Sequence, residues 1–273
     1  MNLKPFVEII RPANCLMAAI AVFIGFAVSA KTYSVTLPVV FAMAAAFLIC
    51  GAGQAINDYF DFEVDKKIRR EKPLPSGKIE RNTALAYSMI LFLAGILISW
   101  LVNFEAFGIA LAFSLLLISY SALMQKQKFI GNIVVALGTA FTLMFGASIV
   151  QKYGTIIFFA ASAFFANMAR EIIKDSQDME ADKGRKTTFP MILSAWQVQA
   201  AVYLMYALAV IIAFFAWGQK IVTNGYYILF LPAATLVFLH SFNLFAENKE
   251  KEAQQFSKIG MAISLLAFLM GAF

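Results

Sequence analysis

Charge is scarce in this chain. Only 14% of its 273 residues are Asp, Glu, Lys or Arg, while 61% are hydrophobic. A soluble domain carries about 25% charged and about 45–50% apolar residues. No polar stretch is long enough to build a separate soluble core, so the apolar excess must face lipid or other lipid-facing helices. Histidine and cysteine are nearly missing. His240 is the single histidine and has no cysteine close by, which argues against a His/Cys zinc site. It reads as a packing residue inside a span. Cys15 and Cys50 lie in apolar runs, read as packing residues, and say little about redox compartment. Strands of about ten alternating residues are also missing, which excludes a transmembrane β-barrel.

What is present is a series of long uncharged runs. They are Pro12–Ala30, Thr32–Asn57, Asn82–Phe104, Ala106–Gln125, Phe129–Gln151, Tyr153–Ala169, Thr187–Gln219, Ile221–Ala246 and Ile259–Phe273. A spanning helix needs about 20 apolar residues. Thr187–Gln219 is too long, which puts its helix start near Ala195. The last run is too short, which puts its start near Ala253. The first run resembles the later ones, so it reads as a span and not as a cleaved signal, despite small residues at Ala27–Ala30. The expected fold is all-α: a polytopic membrane protein of nine transmembrane helices around a central cavity, in one domain over residues 1–273.

The formal charge is +6. Topology explains it before nucleic acid does, because Lys and Arg collect in cytoplasmic loops. With the N-terminus inside, all 22 Lys and Arg fall in inside segments except Lys31, Lys152 and Lys220. Tyr33, Trp100 and Trp217 then sit near outer span ends, as belt aromatics do. The expected location is the cell membrane, with the N-terminus and charged loops cytoplasmic.

Two inside segments carry both signs of charge. The first follows span two and holds Asn57, Asp61 and Asp65 at i, i+4, i+8. On a continuous helix each such step turns about 40°, so the three oxygens share a face. The second, Arg170–Lys186, follows span six and holds Asp178 and Asp182 at i, i+4, with Asp175 one turn earlier. Stacked like charges cost a helix a few tenths of a kcal/mol per pair, and a bound hard cation such as Mg²⁺ would offset that. The plainer alternative is acids that merely pair with nearby Lys and Arg. Two motifs on one membrane side weigh against it.

Lys72, Lys78, Arg170, Lys174 and Lys186 are candidates to hold diphosphate oxygens, though some will only set topology. Lys72–Lys78 reads as a rigid turn-rich loop that folds over the site as a lid. Tyr120 ends span four with Lys126 just beyond. Its ring could stabilise a cation, or anchor the interface.

Together, Asn57-x3-Asp61-x3-Asp65, Lys72-Pro-Leu-Pro-Ser-Gly77, and Asp178-x3-Asp182 followed by Gly184 and Lys186-Thr187 resemble the UbiA-type intramembrane prenyltransferases. Arg11-Pro12-x-Asn14, Tyr120-Ser-Ala-Leu123 with Gly131-Asn132, and Arg170-Glu171-x2-Lys174-Asp175 resemble the branch of that family that makes archaeal ether lipids. Lys72 departs from the usual Arg and loses its bidentate fork. The resemblance implies transfer of a geranylgeranyl group from its diphosphate to the hydroxyl of geranylgeranylglyceryl phosphate. It implies two Mg²⁺ ions held by Asn57, Asp61, Asp65, Asp175, Asp178 and Asp182, bridging the diphosphate. It implies catalytic roles for Asp61, Asp65, Asp178, Asp182 and Tyr120. Arg11, Asn14, Lys72, Lys78, Lys126, Arg170, Lys174 and Lys186 would bind substrate, with Arg11, Lys126 and Lys174 on the acceptor phosphate. The expected partners are these two lipids and the bilayer, with no nucleic acid and no obligate protein. An aromatic acceptor, a transporter and a non-catalytic scaffold are the competing readings. Transporters place their ionisable groups mid-membrane, whereas here they gather at one face.

Overall fold

A computed structural model describes residues 3–68, 70–124, 128–182, 187–222 and 224–271. The helices in chain order are α1 (Lys4–Ile10), α2 (Pro12–Ala30), α3 (Leu37–Phe60), α4 (Phe62–Ile68), α5 (Arg81–Trp100) and α6 (Phe104–Ser119). A π-helical segment, Tyr120–Met124, follows. Then come α7 (Lys128–Ser148), α8 (Ile156–Gln177), α9 (Met179–Asp182), α10 (Phe189–Ile192), α11 (Ala195–Gly218), α12 (Gly225–Ala246) and α13 (Glu250–Met270). Among the described residues, nine helices are long and apolar enough to cross a membrane. Lipid offers no hydrogen bonds, so the spanning backbone must satisfy itself, and helices do that within one segment. The chain is a multi-pass, all-α membrane protein, as its sequence predicts.

Two helix starts have local causes. Ser194 and Gln197 form a reciprocal capping box, which begins α11 at Ala195 as expected. α13 begins at Glu250, not near Ala253, because Glu250 and Glu252 suit the positive end of its dipole. α8 departs further from the sequence reading. Its span was expected to end at Ala169, yet the helix runs on to Gln177. Glu171 pairs with both Arg170 and Lys174, so its buried charge is met within the helix and two more turns continue.

The chain divides into two compact units. The first comprises Met1–Phe23 and Val35–Met124. In it, α1 packs on α3, and Phe6 meets Tyr87 edge to face at 5.3 Å. A core cluster joins Ile9, Ile10, Cys15, Ala55, Leu74, Ile79 and Ala84. Cys15 donates to the Ile10 carbonyl at 3.0 Å, in the packing role expected of it. Leu74 and Ile79 root the Lys72–Lys78 loop in that core, so the loop is a fixed wall and not a hinged lid. Gly77 closes its turn at φ +73°, where a side chain would be strained.

The second unit comprises Ile24–Ser34 and Gln125–Phe273. α8 lies against α7, α11 and α13. Phe159 stacks on Phe268 at 4.2 Å and on Tyr227 at 5.6 Å. Tyr206 shares hydrogen bonds with Ser241 and Ser257 at 3.0 and 2.5 Å, tying α11, α12 and α13. His240 is exposed, and its ring packs edge-on against Phe256 at 4.5 Å.

Small residues let membrane helices approach closely, and Gly25 shows how closely. A Cβ there would lie 2.8 Å from the Leu143 carbonyl carbon of α7, and nearer still to its oxygen. Backbone cannot step aside as a side chain tip can. Gly25→Ala should therefore destabilise by about 1–3 kcal/mol. Gly108→Ala, with nothing within 4 Å, is the control and should be neutral or up to about 1 kcal/mol stabilising. Thermal unfolding of both variants in detergent checks this, and equal midpoints would refute the close contact.

Candidate active site

In the first unit the site is built at the C-terminal end of α3. The sequence reading treats Asn57, Asp61 and Asp65 as one continuous helical face. The structure corrects it: α3 stops at Phe60, Asp61 caps it at φ −79° and ψ 2°, and α4 starts at Phe62. Asp61 sits in the sparsely allowed bridge region, which turns the chain. The hydrogen-bond ladder nonetheless spans the break. Asp61 N–H reaches the Asn57 carbonyl at 2.9 Å, and Asp65 N–H reaches that of Asp61 at 2.8 Å.

One enclosed acid here is absent from the sequence candidates. Asp58 is 4% exposed. Arg11 donates to its Oδ1 at 2.7 Å and also to Gln54. Lys72 Nζ donates to the same Asp58 oxygen at 3.0 Å and to Asp65 Oδ2 at 2.5 Å. Asp65 is itself 3% exposed. Gln54, Asp58 and Asp65 follow i, i+4, i+11, a pattern that lay in the sequence beside the one chosen. Arg11 stands between α1 and Pro12 in a left-handed conformation, φ 52°, which turns its side chain back onto α3. Asn57 accepts from Ser121 Oγ at 2.6 Å. Ser121 belongs to the π-helical segment that Tyr120 opens, and such bulges recur at functional sites.

Arg81 lies over the Tyr59 ring at 4.6 Å and the Phe62 ring at 5.4 Å, bracing the break. Asp61 and Tyr120 are half-buried, while Asn14 and Lys78 are exposed. Lys126 lies outside the described residues.

The second unit repeats the device. α8 stops at Gln177, Asp178 caps it at φ −90° and ψ 0°, and α9 runs to Asp182. The i, i+4 stack of Asp178 and Asp182 is therefore also broken at its first member. Asp175 is fully buried and accepts from Asn132 Nδ2 at 2.7 Å. Glu171, 3% exposed, holds Arg170 at 2.5 Å and Lys174 at 3.1 Å. Asn167 donates to Thr139 Oγ1 at 2.7 Å and accepts weakly from Arg170. Neither Glu171 nor Asn132 stood among the sequence candidates. Lys186 lies outside the described residues.

Among the described residues, no three His, Cys, Asp or Glu side chains are gathered as a ready metal cage. The donor chemistry fits Mg²⁺ all the same. It consists of hard carboxylate and amide oxygens, and Mg²⁺ uses few protein ligands besides substrate phosphates and water. The Lys72 ammonium bridging Asp58 and Asp65 shows that a cation is held among them.

The sequence profile of the UbiA prenyltransferase family matches residues 18–266. The chain belongs to this family. It is 36% identical to the digeranylgeranylglyceryl phosphate synthase of Thermococcus gammatolerans, over 100% of this chain and 99% of the relative. A solved structure of digeranylgeranylglyceryl phosphate synthase in membranes superposes with a TM-score of 0.84 at 30% identity, covering 99% and 98% of the two chains. A UbiA homolog from Archaeoglobus fulgidus bound to GPP and Mg²⁺ shares the fold at a TM-score of 0.72, with 20% identity over 97% and 99% of the chains. The chain is thus a UbiA-type prenyltransferase, and the resemblance read from its motifs holds.

In this UbiA prenyltransferase Lys72 compensates two buried carboxylates at once. Lys72→Met should leave Asp65 without its cation, while Arg11 still holds Asp58, and cost about 3–5 kcal/mol of stability. Adding Asp65→Asn should recover part of that loss. Chemical unfolding in detergent measures both, and a wild-type midpoint for Lys72→Met would dissolve the claimed pairing.

Proposed function

We propose that the chain transfers a geranylgeranyl group from geranylgeranyl diphosphate to the free hydroxyl of geranylgeranylglyceryl phosphate, releasing diphosphate, in archaeal ether-lipid synthesis. The observation that carries this reading is the end-to-end likeness to synthases of that name, at 36% identity over the whole chain. We place the reaction in one membrane domain of the cell membrane, with the N-terminus and both acidic motifs cytoplasmic. The bias of Lys and Arg supports that orientation.

In this reading Asn57, Asp61 and Asp65 hold one Mg²⁺, and Asp175, Asp178 and Asp182 hold a second. When bound, Mg²⁺ supplies positive charge that stabilises the departing diphosphate. The chain's own groups do the rest. Ser121 fixes the Asn57 amide, so its oxygen keeps one orientation. Asn132 does the same for Asp175. Lys72, Lys78 and Lys186 would bind phosphate oxygens of the donor. Tyr120 presents its ring to the allylic carbon as its bond to oxygen breaks and cationic character develops there. The acceptor hydroxyl then forms the ether bond and loses its proton. The apolar helices keep water from the cation, which suppresses hydrolysis. Arg11, Asn14, Lys126, Arg170 and Lys174 are left for substrate headgroups.

Labelled geranylgeranyl diphosphate, offered with geranylgeranylglyceryl phosphate and with a set of aromatic acids, decides the acceptor. Product with the lipid phosphate is expected. Product only with an aromatic acid would replace this reading by the quinone or tetrapyrrole one. Asp61→Ala and Asp178→Ala should each lower kcat/KM by at least about 10²–10³-fold, the range for losing a preorganised charge stabiliser. Both should elute as folded protein on size exclusion. Near-normal turnover in both variants would remove the metal assignment.

A further inference from the structure

Glu171 organises more charge than it can neutralise. Its side chain is 4% exposed, and it grips Arg170 and Lys174 together. A third cation arrives from α13, which runs antiparallel to α8. Phe268 near the end of α13 stacks on Phe159 near the start of α8, and Gln254 near its beginning bonds Gln177 at the end of α8 at 2.9 Å. Lys258 is one turn past Gln254 on that path. It therefore lies beside the turn that carries Arg170, Glu171 and Lys174, and the charges of all three act on it. So Glu171 grips two cations, and Lys258 faces the same stretch of α8 from α13.

Two features mark this as a binding arrangement and not a closed structural pair. Arg170 Nε is buried with no hydrogen-bond acceptor among the described residues. A buried guanidinium donor without a partner is costly unless something else supplies the oxygen. Lys174 and Lys258 keep their outer surfaces open, so an anion can reach them. Lysines at a membrane edge often serve only as topological anchors. An anchor, though, needs neither a buried carboxylate to gather it nor an arginine beside it. An anion of two charges with several oxygens matches this set of donors, and that is the chemistry of a phosphate ester.

We propose that Arg170, Lys174 and Lys258, assembled on Glu171, form a phosphate-monoester subsite that takes the headgroup of the acceptor lipid. This rests on the acceptor reading given under Proposed function. Lys258 is the new member, and α13 thereby joins the substrate-binding helices. The same chemistry would suit the diphosphate of the donor, and the kinetics separate the two.

The test uses full-length protein in detergent with Lys258→Gln and Lys258→Arg. The KM for geranylgeranylglyceryl phosphate and the KM for geranylgeranyl diphosphate are measured separately, beside wild type. Lys258→Gln should raise the acceptor KM about tenfold, the value of one charged hydrogen bond, while the donor KM and kcat stay within about twofold. Lys258→Arg should restore the acceptor KM. A rise in the donor KM alone would assign the subsite to the diphosphate and overturn the proposal. Unchanged acceptor KM, equal rises in both constants, or loss of folded protein in both variants would overturn it as well, the last by showing a structural role. Wild type inactive on any phosphate-bearing acceptor would instead bring down the parent reading.

Discussion

Everything polar in this protein depends on how carboxylates are held where water is scarce. An isolated carboxylate in a low-dielectric interior costs several kcal/mol, and a partner recovers that only with good geometry. Asp58, Asp65, Glu171 and Asp175 are all buried, and each is met. Arg11 and Lys72 meet the first two, Arg170 and Lys174 the third, and Asn132 the fourth. Much local structure follows from those partnerships. The left-handed turn at Arg11 brings its guanidinium onto α3. The Lys72 loop is fastened into the core through Leu74 and Ile79, so its ammonium arrives at a fixed place. α8 can continue for two turns past its apolar part because Glu171 is paired with Arg170 and Lys174.

Both acidic motifs place their middle Asp at a helix break with nearly the same backbone angles, ψ 2° and ψ 0°. Such a residue ends one helix and precedes another, so the opposed dipole ends largely cancel at its side chain. The field at each break then comes from side chains and bound ions and not from the backbone. That makes Asp61 and Asp178 responsive to what arrives, while Asp58 and Glu171 are taken up by protein cations. One motif thus combines acids that shape the protein with acids left for ligand chemistry. This division also weakens the plain alternative that all the acids merely pair with neighbours, since the pairing falls on particular members.

The fold was legible because lipid leaves few choices. Uncharged runs near twenty residues become helices, and the start expected near Ala195 from run length is where α11 begins. Charge was where the reading failed. Reading the sixth span as Tyr153–Ala169 cuts it at the first charge, yet Glu171 shows that a paired charge continues a helix. Drawing Asn57, Asp61 and Asp65 on a single ideal helix missed the break, because an Asp in the bridge region has no signature in one sequence. Asp58 was overlooked since its significance depends on Arg11, 47 positions away. Lys258 was counted only as topology, because its neighbours come from a helix some 80 positions earlier. Spacing reports what one helix presents, and it is silent about what a second helix brings.

Fold alone does not name an acceptor, since one architecture hosts several chemistries. The distinction must come from side chains that a given acceptor needs and another does not. Any prenyl donor brings a diphosphate, so oxygen ligands and a few cations serve every member of the family. A lipid-phosphate acceptor brings a second anion, and two anions in one reaction repel unless further cations separate and hold them. An aromatic acid brings a single charge on a planar ring and would reward a flat slot with one cation. The chain has acids and Lys72 at one motif, and at the other Arg170 and Lys174 on Glu171, with Lys258 facing them from α13. Cation supply beyond the donor's need is what a second phosphate requires. On that ground, and not on shared architecture, the lipid-phosphate acceptor is the stronger reading.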